Sequence, residues 1–247
     1  MLNILSIDWD YFFDATEDQR IFLFPDNPNE LLPDHAKKRI WASYYAMSEE
    51  YASKVANKPL EKIKVDPLIY KVVKAIKNPL AFAVSESHTR AYYYIKDLLS
   101  NELEDCVNLL NIDYHHDCGG HDEGLPNVHC GNWLKRLMDE VDGTYVWLGR
   151  KDSDKCENIR KLKFISDYNA ANIENTLWDM VFICRSDMWS PPHLDKEFTK
   201  IFKPLAETDF EECLYYAVED GIWEDRYPDV AELVEERRIL KQIPQNP

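Results

Sequence analysis

Apolar residues in this chain gather in short unbroken runs, among them LNILSI from Leu2, PLAFAV from Pro79 and VNLLNI from Val107, and each gives way to acids or histidines. Runs of that length without polar alternation are the pattern of strands covered on both faces, as in a parallel sheet between helices. Shorter runs predict further strands at Tyr145–Leu148, Lys163–Ile165 and Met180–Cys184. Between them the apolar positions take a helical period around Trp41 to Tyr51, after His88 in HTRAYYYI, over Asn132–Val141 and over Leu194–Ala206. Strands alternating with helices predict an α/β fold, three layers α/β/α around a mainly parallel sheet with right-handed crossovers. The alternation breaks at about 14–78, a helical and loop insertion containing the Pro- and Asn-rich stretch FPDNPNELLPDH. A segment so long either forms a lid over a site or covers one face of the sheet, and covering is the preferred reading.

The residues that end three of these runs carry the candidate chemistry. SIDWD closes the first with Asp8 and Asp10, NIDYHHD ends the third with Asp113, His115 and Asp117, and SESH sets His88 at a strand-to-helix junction. On an extended strand, side chains two apart share a face, so the pleat aims each acid-histidine set at one point. Carboxylates gathered in a buried place need a positive partner, and divalent cations are the natural one. Taken singly, an Asp here serves as a helix N-cap and His88 as a hydrogen-bonded cap. Taken together they favour a metal centre at the carboxyl ends of the strands, where open α/β sheets place their ligands.

A glycine-rich stretch, CGGHDEGLPNVHCGNW, follows the third set and can bring His121, Asp122 and His129 to such a centre from a loop. The near-neutral pKa of an imidazole suits His129 to proton transfer, although a backbone carbonyl would serve it equally well as a structural partner. A competing arrangement draws His115, His116, Cys118, His121, His129 and Cys130 into a tetrahedral zinc site, but the chain has no CxxC pair to anchor one. Beyond the strand at Met180–Cys184, Asp187, Trp189 and His193 hold strand-end positions suited to a substrate pocket. Asp187 there either faces a cationic group or caps the helix from Leu194.

Together, SESH, IDYHHD, CGNWL and SIDWDYFF resemble the motifs of the arginase, agmatinase and histone deacetylase superfamily, and most closely a little-characterised arginase-like branch of it. VFICRSDMWSPPHLD is similar to that branch's final strand and the loop after it. The resemblance implies an arginase/deacetylase-like fold with a six-ligand binuclear site. Asp113 and Asp8 would bridge two divalent ions, His88 and Asp117 would complete one position, and His115 with Asp10 the other. Manganese is the ion of first choice and zinc the second. The resemblance further implies that a metal-bridging hydroxide attacks a guanidino or amide carbon, with Asp117 orienting the water and His129 relaying protons. The activity so implied is hydrolysis of a non-peptide C–N bond. The family's SxDxD strand follows DxHxD, whereas here it comes first, and a circular permutation to the N-terminus accounts for the order. Two alternatives stay open. One is a single-metal, deacetylase-like amidohydrolase, against which Asp8 and Asp10 supply more carboxylates than such a site keeps. The other is a non-catalytic metal-binding protein on the arginase scaffold.

At 247 residues the whole chain, 1–247, fits a single catalytic domain carrying the insertion. A formal charge of −16 argues against nucleic acid as a partner and is compatible with a cationic small-molecule substrate, while the oligomeric state is left open. Much of that charge lies in Glu207 to Glu236, read as solvated helix faces. No apolar run reaches membrane-spanning length, and the start lacks a basic stretch followed by an apolar one, so neither anchor nor signal peptide is expected. Six scattered cysteines fit reduced thiols in the cytoplasm.

Overall fold

The unbroken apolar runs become the inner strands of a seven-stranded sheet. In the computed structural model, which describes residues 1–25, 32–51, 58–102, 105–119, 127–154 and 159–228 with Ala231, these strands are β1 (Leu2–Asp8), β2 (Ala81–Ser85), β3 (Cys106–Ile112), β4 (Asp142–Leu148), β5 (Leu162–Ile165), β6 (Met180–Cys184) and β7 (Tyr215–Val218). Their spatial order is β5-β4-β3-β1-β6-β2-β7, and every pairing is parallel. Alternate residues of β1 face opposite layers. Leu5 and Ile7 join a core with Trp41 and Tyr45 of α2 (Asp34–Tyr51), Ile69 and Val72 of α3 (Leu68–Ala75) and Phe198 and Phe202 of α6 (Asp195–Ala206). Leu2 and Ile4 join a second core with Ala91 and Ile95 of α4 (Thr89–Glu102) and Trp133 and Leu137 of α5 (Trp133–Glu140). This is the three-layer α/β/α architecture that the alternation of elements implies.

The insertion covers one of these faces. Its first helix, α1 (Glu17–Leu23), starts at a capping box in which Thr16 Oγ1 accepts from Gln19 N and Gln19 Oε1 accepts from Thr16 N. Phe13 and Val65 pair as an antiparallel bridge, and Leu60 and Ile63 are buried in the core, so the segment is held from both ends.

One expectation needs correcting. Glu207 to Glu236 does not consist only of solvated helix faces, because Tyr215–Val218 is the edge strand β7 beside β2. Tyr215 and Ala217 pack against one core while Tyr216 is 54% exposed, so the strand is short and half-wet and lacks the unbroken apolar run of its neighbours. Among the described residues no helix is long and apolar enough to cross a membrane.

The register decides where ligands meet. Ile7 pairs with Ile112 and Asp8 with Cys184, so the carboxyl ends of β1, β3 and β6 finish level. The chain leaves β1 and β3 in opposite directions across the sheet, which opens a crevice between their ends.

Candidate metal centre

The pleat is not what brings the acids together. β1 stops at Asp8, and Trp9–Phe12 turns into a 3-10 helix whose N-cap is Asp8 itself, its Oδ1 accepting from Asp10 N at 3.1 Å. β3 likewise stops at Ile112, and Asp113, His115 and Asp117 lie on the turn after it, with Asp117 at φ 50°. On a straight strand three residues spaced two apart span about 13 Å, too far for all three side chains to close on one ion. The turns supply the missing curvature. Trp9, between the two acids, points the other way into a cage of Phe13, Phe198 and Phe202.

His88, in the loop between β2 and α4, sits at the centre of the cluster. Its Nδ1 lies 3.1 Å from Asp8 Oδ2, 3.2 Å from Asp113 Oδ2 and 3.1 Å from Asp117 Oδ2, yet none of these aligns as a hydrogen bond and the atom is fully buried. A single N–H serves one acceptor, not three. Hard cations hold octahedral ligands at about 2.1 Å, which sets neighbouring ligands about 3 Å apart, the spacing seen here. A second group lies beside the first: His115 Nδ1 is 3.1 Å from Asp10 Oδ2 and 3.8 Å from Asp113 Oδ1, and Asp10 Oδ2 is another buried oxygen without a hydrogen bond. Asp113 places one oxygen in each group. Asp8 gives Oδ2 to the first and engages Oδ1 with the backbone. Cys184 forms a third donor set with Asp8 and His88, and these buried groups of Asp, His and Cys could hold a metal ion.

The electrostatics fit the same reading. Burial, then the neighbouring charges of Asp10 and Asp113, raises the pKa of Asp8 to about 7 against the pull of His88. Burial and Asp117 raise Asp113 to about 7. For both histidines burial acts to lower the pKa, but Asp113, Asp117 and Asp8 hold His88 well above its ordinary range and Asp10 raises His115 to about 9. Burial would raise Asp10, but His115, Arg20 and the Tyr114 backbone outweigh it and hold the carboxyl below its usual value. Without cations, the cluster keeps protons to offset its own charge.

Side-chain hydrogen bonds hold four of the six candidate ligands. Ser6 Oγ meets His88 Nε2 at 2.7 Å, Ser186 Oγ donates to Asp8 Oδ2 at 3.1 Å, Asn111 Nδ2 to Asp113 Oδ2 at 3.2 Å and Trp133 Nε1 to Asp117 Oδ2 at 2.5 Å. Such bonds orient the ligands; those to the carboxylates stabilise the charged form, and His88 gains basicity where its Nε2–H donates to Ser6. Arg20, buried on α1, donates to the Asp10 carbonyl at 2.8 Å and lies 3.8 Å over the Tyr114 ring. The insertion therefore reaches beneath the centre through a residue that the sequence reading passed over. Ser6 stands in SxDxD and Ser186 in VFICRSDMWSPPHLD, neither given a role there, whereas Arg20 stands in no motif.

Above the cluster lies a cavity of about 240 Å³, with His115, His116, His129, Tyr114, Trp189 and Asp154 on its wall. Trp189 tilts against His115 with ring centroids 4.9 Å apart. The other two proposed pocket residues go elsewhere. Both ring nitrogens of His193 are engaged, Nδ1 with Tyr45 Oη at 2.6 Å and Nε2 with the Ile63 carbonyl at 3.0 Å, and the residue is not on the cavity wall. Asp187 pairs with Lys37 and with Arg226 Nη1 at 2.9 Å and faces a separate cavity of about 360 Å³, so it caps no helix. Among the described residues, His115, His116, Cys118, His129 and Cys130 do not assemble into a shared donor group of their own, and His121 and Asp122 lie outside those residues.

Compared with known proteins, the chain matches no family model, no curated protein and no solved structure.

Proposed function

We propose that this protein is a hydrolase that depends on two divalent cations and cleaves a non-peptide C–N bond of guanidino or amide type. The observation that carries the reading is His88 Nδ1 ringed by three carboxylate oxygens, with Asp113 reaching from that ring into the Asp10 and His115 group. Asp8, His88, Asp113 and Asp117 would hold one cation, and Asp10, Asp113 and His115 the other. Oxygen-rich donors with two imidazoles favour manganese, and the sulfur of Cys184 near Asp8 and His88 is the feature that favours zinc. Bound there, the cations would supply Lewis-acid activation of water at neutral pH.

The chain's own residues do the rest. Asp117, pinned by the Trp133 indole, orients the attacking water. Tyr114 and Trp189 wall the space in which a small substrate lies, and His129, on the same wall, protonates the leaving nitrogen. A circular permutation of the arginase-like order accounts for the acid pair at the start of the chain, because the ligands meet through sheet register and not through sequence order.

The test is release of amine or ammonia from a panel of small amides and guanidino compounds by manganese-loaded protein. We expect turnover that a chelator abolishes and that His129→Ala lowers about a hundredfold while metal is retained. Metal-replete protein without turnover on either class contradicts the proposal.

A further inference from the structure

His116 follows directly on a ligand in NIDYHHD, and the proposed reaction gives it no task. Its Nδ1 accepts a hydrogen bond from Cys118 N at 2.9 Å. A backbone N–H only donates, so Nδ1 carries no proton; the ring is neutral and its hydrogen is on Nε2. The Trp147 ring meets the imidazole edge-on, with centroids 5.9 Å apart, and the residue lines the cavity beside Asp8, His115 and Asp117. Among the described residues nothing accepts from Nε2. With Nδ1 held by the Cys118 backbone, Nε2–H is the polar group that His116 has left to offer beside the candidate centre.

From this geometry we infer that His116 is a specificity-determining residue: its Nε2–H holds a carbonyl or carboxylate oxygen of the substrate and selects an acyl compound over a guanidino one. A guanidinium offers five N–H donors and no acceptor, so it cannot satisfy the imidazole, whereas an amide oxygen has two lone pairs to offer. Placing donor against donor on a half-buried wall leaves both unpaired. Asp154, the one carboxylate on that wall outside the ligand cluster among the described residues, is exposed and discriminates weakly because solvent and salt screen it. The inference rests on the two-cation reading of the neighbouring cluster and narrows its substrate class.

Two substitutions separate this role from a structural one. His116→Asn keeps an acceptor for Cys118 N but removes the donor from the cavity; His116→Gln extends an amide N–H towards the place of Nε2 and gives up the turn. Full-length protein loaded with manganese is titrated calorimetrically with acetohydroxamate and, separately, with methylguanidine. We expect His116→Asn to weaken acetohydroxamate about tenfold, His116→Gln to stay within about threefold of wild type, and methylguanidine to bind all three alike and more weakly. Imidazole ¹⁵N spectra of wild type, in which the His116 signals are those lost on substitution, should show a bare Nδ1 and a protonated Nε2. The reverse tautomer, unchanged acetohydroxamate binding in His116→Asn, equal loss in both variants, or tighter binding of methylguanidine overturns the inference. Wild type that takes up no metal overturns the two-cation reading and this inference with it, while metal-replete protein giving any of those results overturns the inference alone.

Discussion

Asp8, Asp113 and His115 keep protons in the metal-free protein that they would not keep in an unfolded chain, and this gives the centre a pH signature. Asp8 and Asp113 rise from 3.8 to about 7, and His115 rises from 6.5 to about 9. The folded state therefore binds more protons than the unfolded one between about pH 4 and 9, and its stability falls as pH rises through that window. Bound cations displace those protons, so metal affinity runs the opposite way and tightens with pH. We expect the melting temperature of metal-stripped protein to drop by several degrees from pH 6 to 9 and that of metal-loaded protein to hold steady; a flat or rising curve for the stripped protein contradicts this. At this scale the sequence was informative where an apolar run ended in several acids or histidines, because capping accounts for one such residue, as it does for Asp8, but not for a set of them. It was silent on Arg20, Ser186 and Asn111, whose importance comes only from what lies opposite them. It did not show that His193 is engaged by Tyr45 and the Ile63 carbonyl or that Asp187 turns to Lys37 and Arg226 at a separate cavity, because a strand-end position does not reveal which way a side chain points.

At the level of elements, the ends of β1 and β3 matter more than their bodies. Each strand delivers its first acid and then turns, and the turn folds the later ligands inward. Trp9 anchors the first turn by packing between Phe13, Phe198 and Phe202, so α6 supports Asp8 and Asp10 from the far side of the sheet. Replacing the fully buried Phe198 with Ala should cost about 4 kcal/mol in urea unfolding and weaken metal binding as well, because Trp9 loses one wall of its cage. Loss of stability with metal affinity unchanged would mean that the turn holds itself. The inner strands were legible because burial on both faces leaves an unbroken apolar record. β6 appears at Met180–Cys184 as read, and α5 and α6 fall within a residue or so of their expected spans. β7 was missed for the converse reason: an edge strand with one wet face carries too few apolar residues to stand out among acids.

The molecule as a whole is tied together at the carboxyl edge of the sheet by a buried ion network. Arg226 grips both oxygens of Asp195 at the start of α6, at 2.8 and 2.6 Å, and also Asp187, which pairs with Lys37 of the insertion. Arg185 binds Glu86 and the Glu224 carbonyl. The segment after β7, the insertion and the β6 turn are thereby joined beside the centre. Removing one partner of a buried pair leaves a charge without compensation, so Arg226→Ala should cost about 4 kcal/mol, and adding Asp195→Ala should cost much less than a second such loss. Simple additivity in chemical unfolding would show that the network is not coupled. The layered class was readable from the alternation of strands and helices, but the strand order was not. No local pattern states that β6 intervenes between β1 and β2, and it is this order that sets Cys184 and Ser186 beside Asp8.

The most direct measurement is metal content by elemental analysis of full-length protein equilibrated with manganese and then desalted, wild type beside Asp113→Ala. If Asp113 serves both donor groups, wild type should retain about two equivalents of metal and the variant well under one. Wild type that retains essentially none, or a variant that retains as much as wild type, would contradict the two-cation centre.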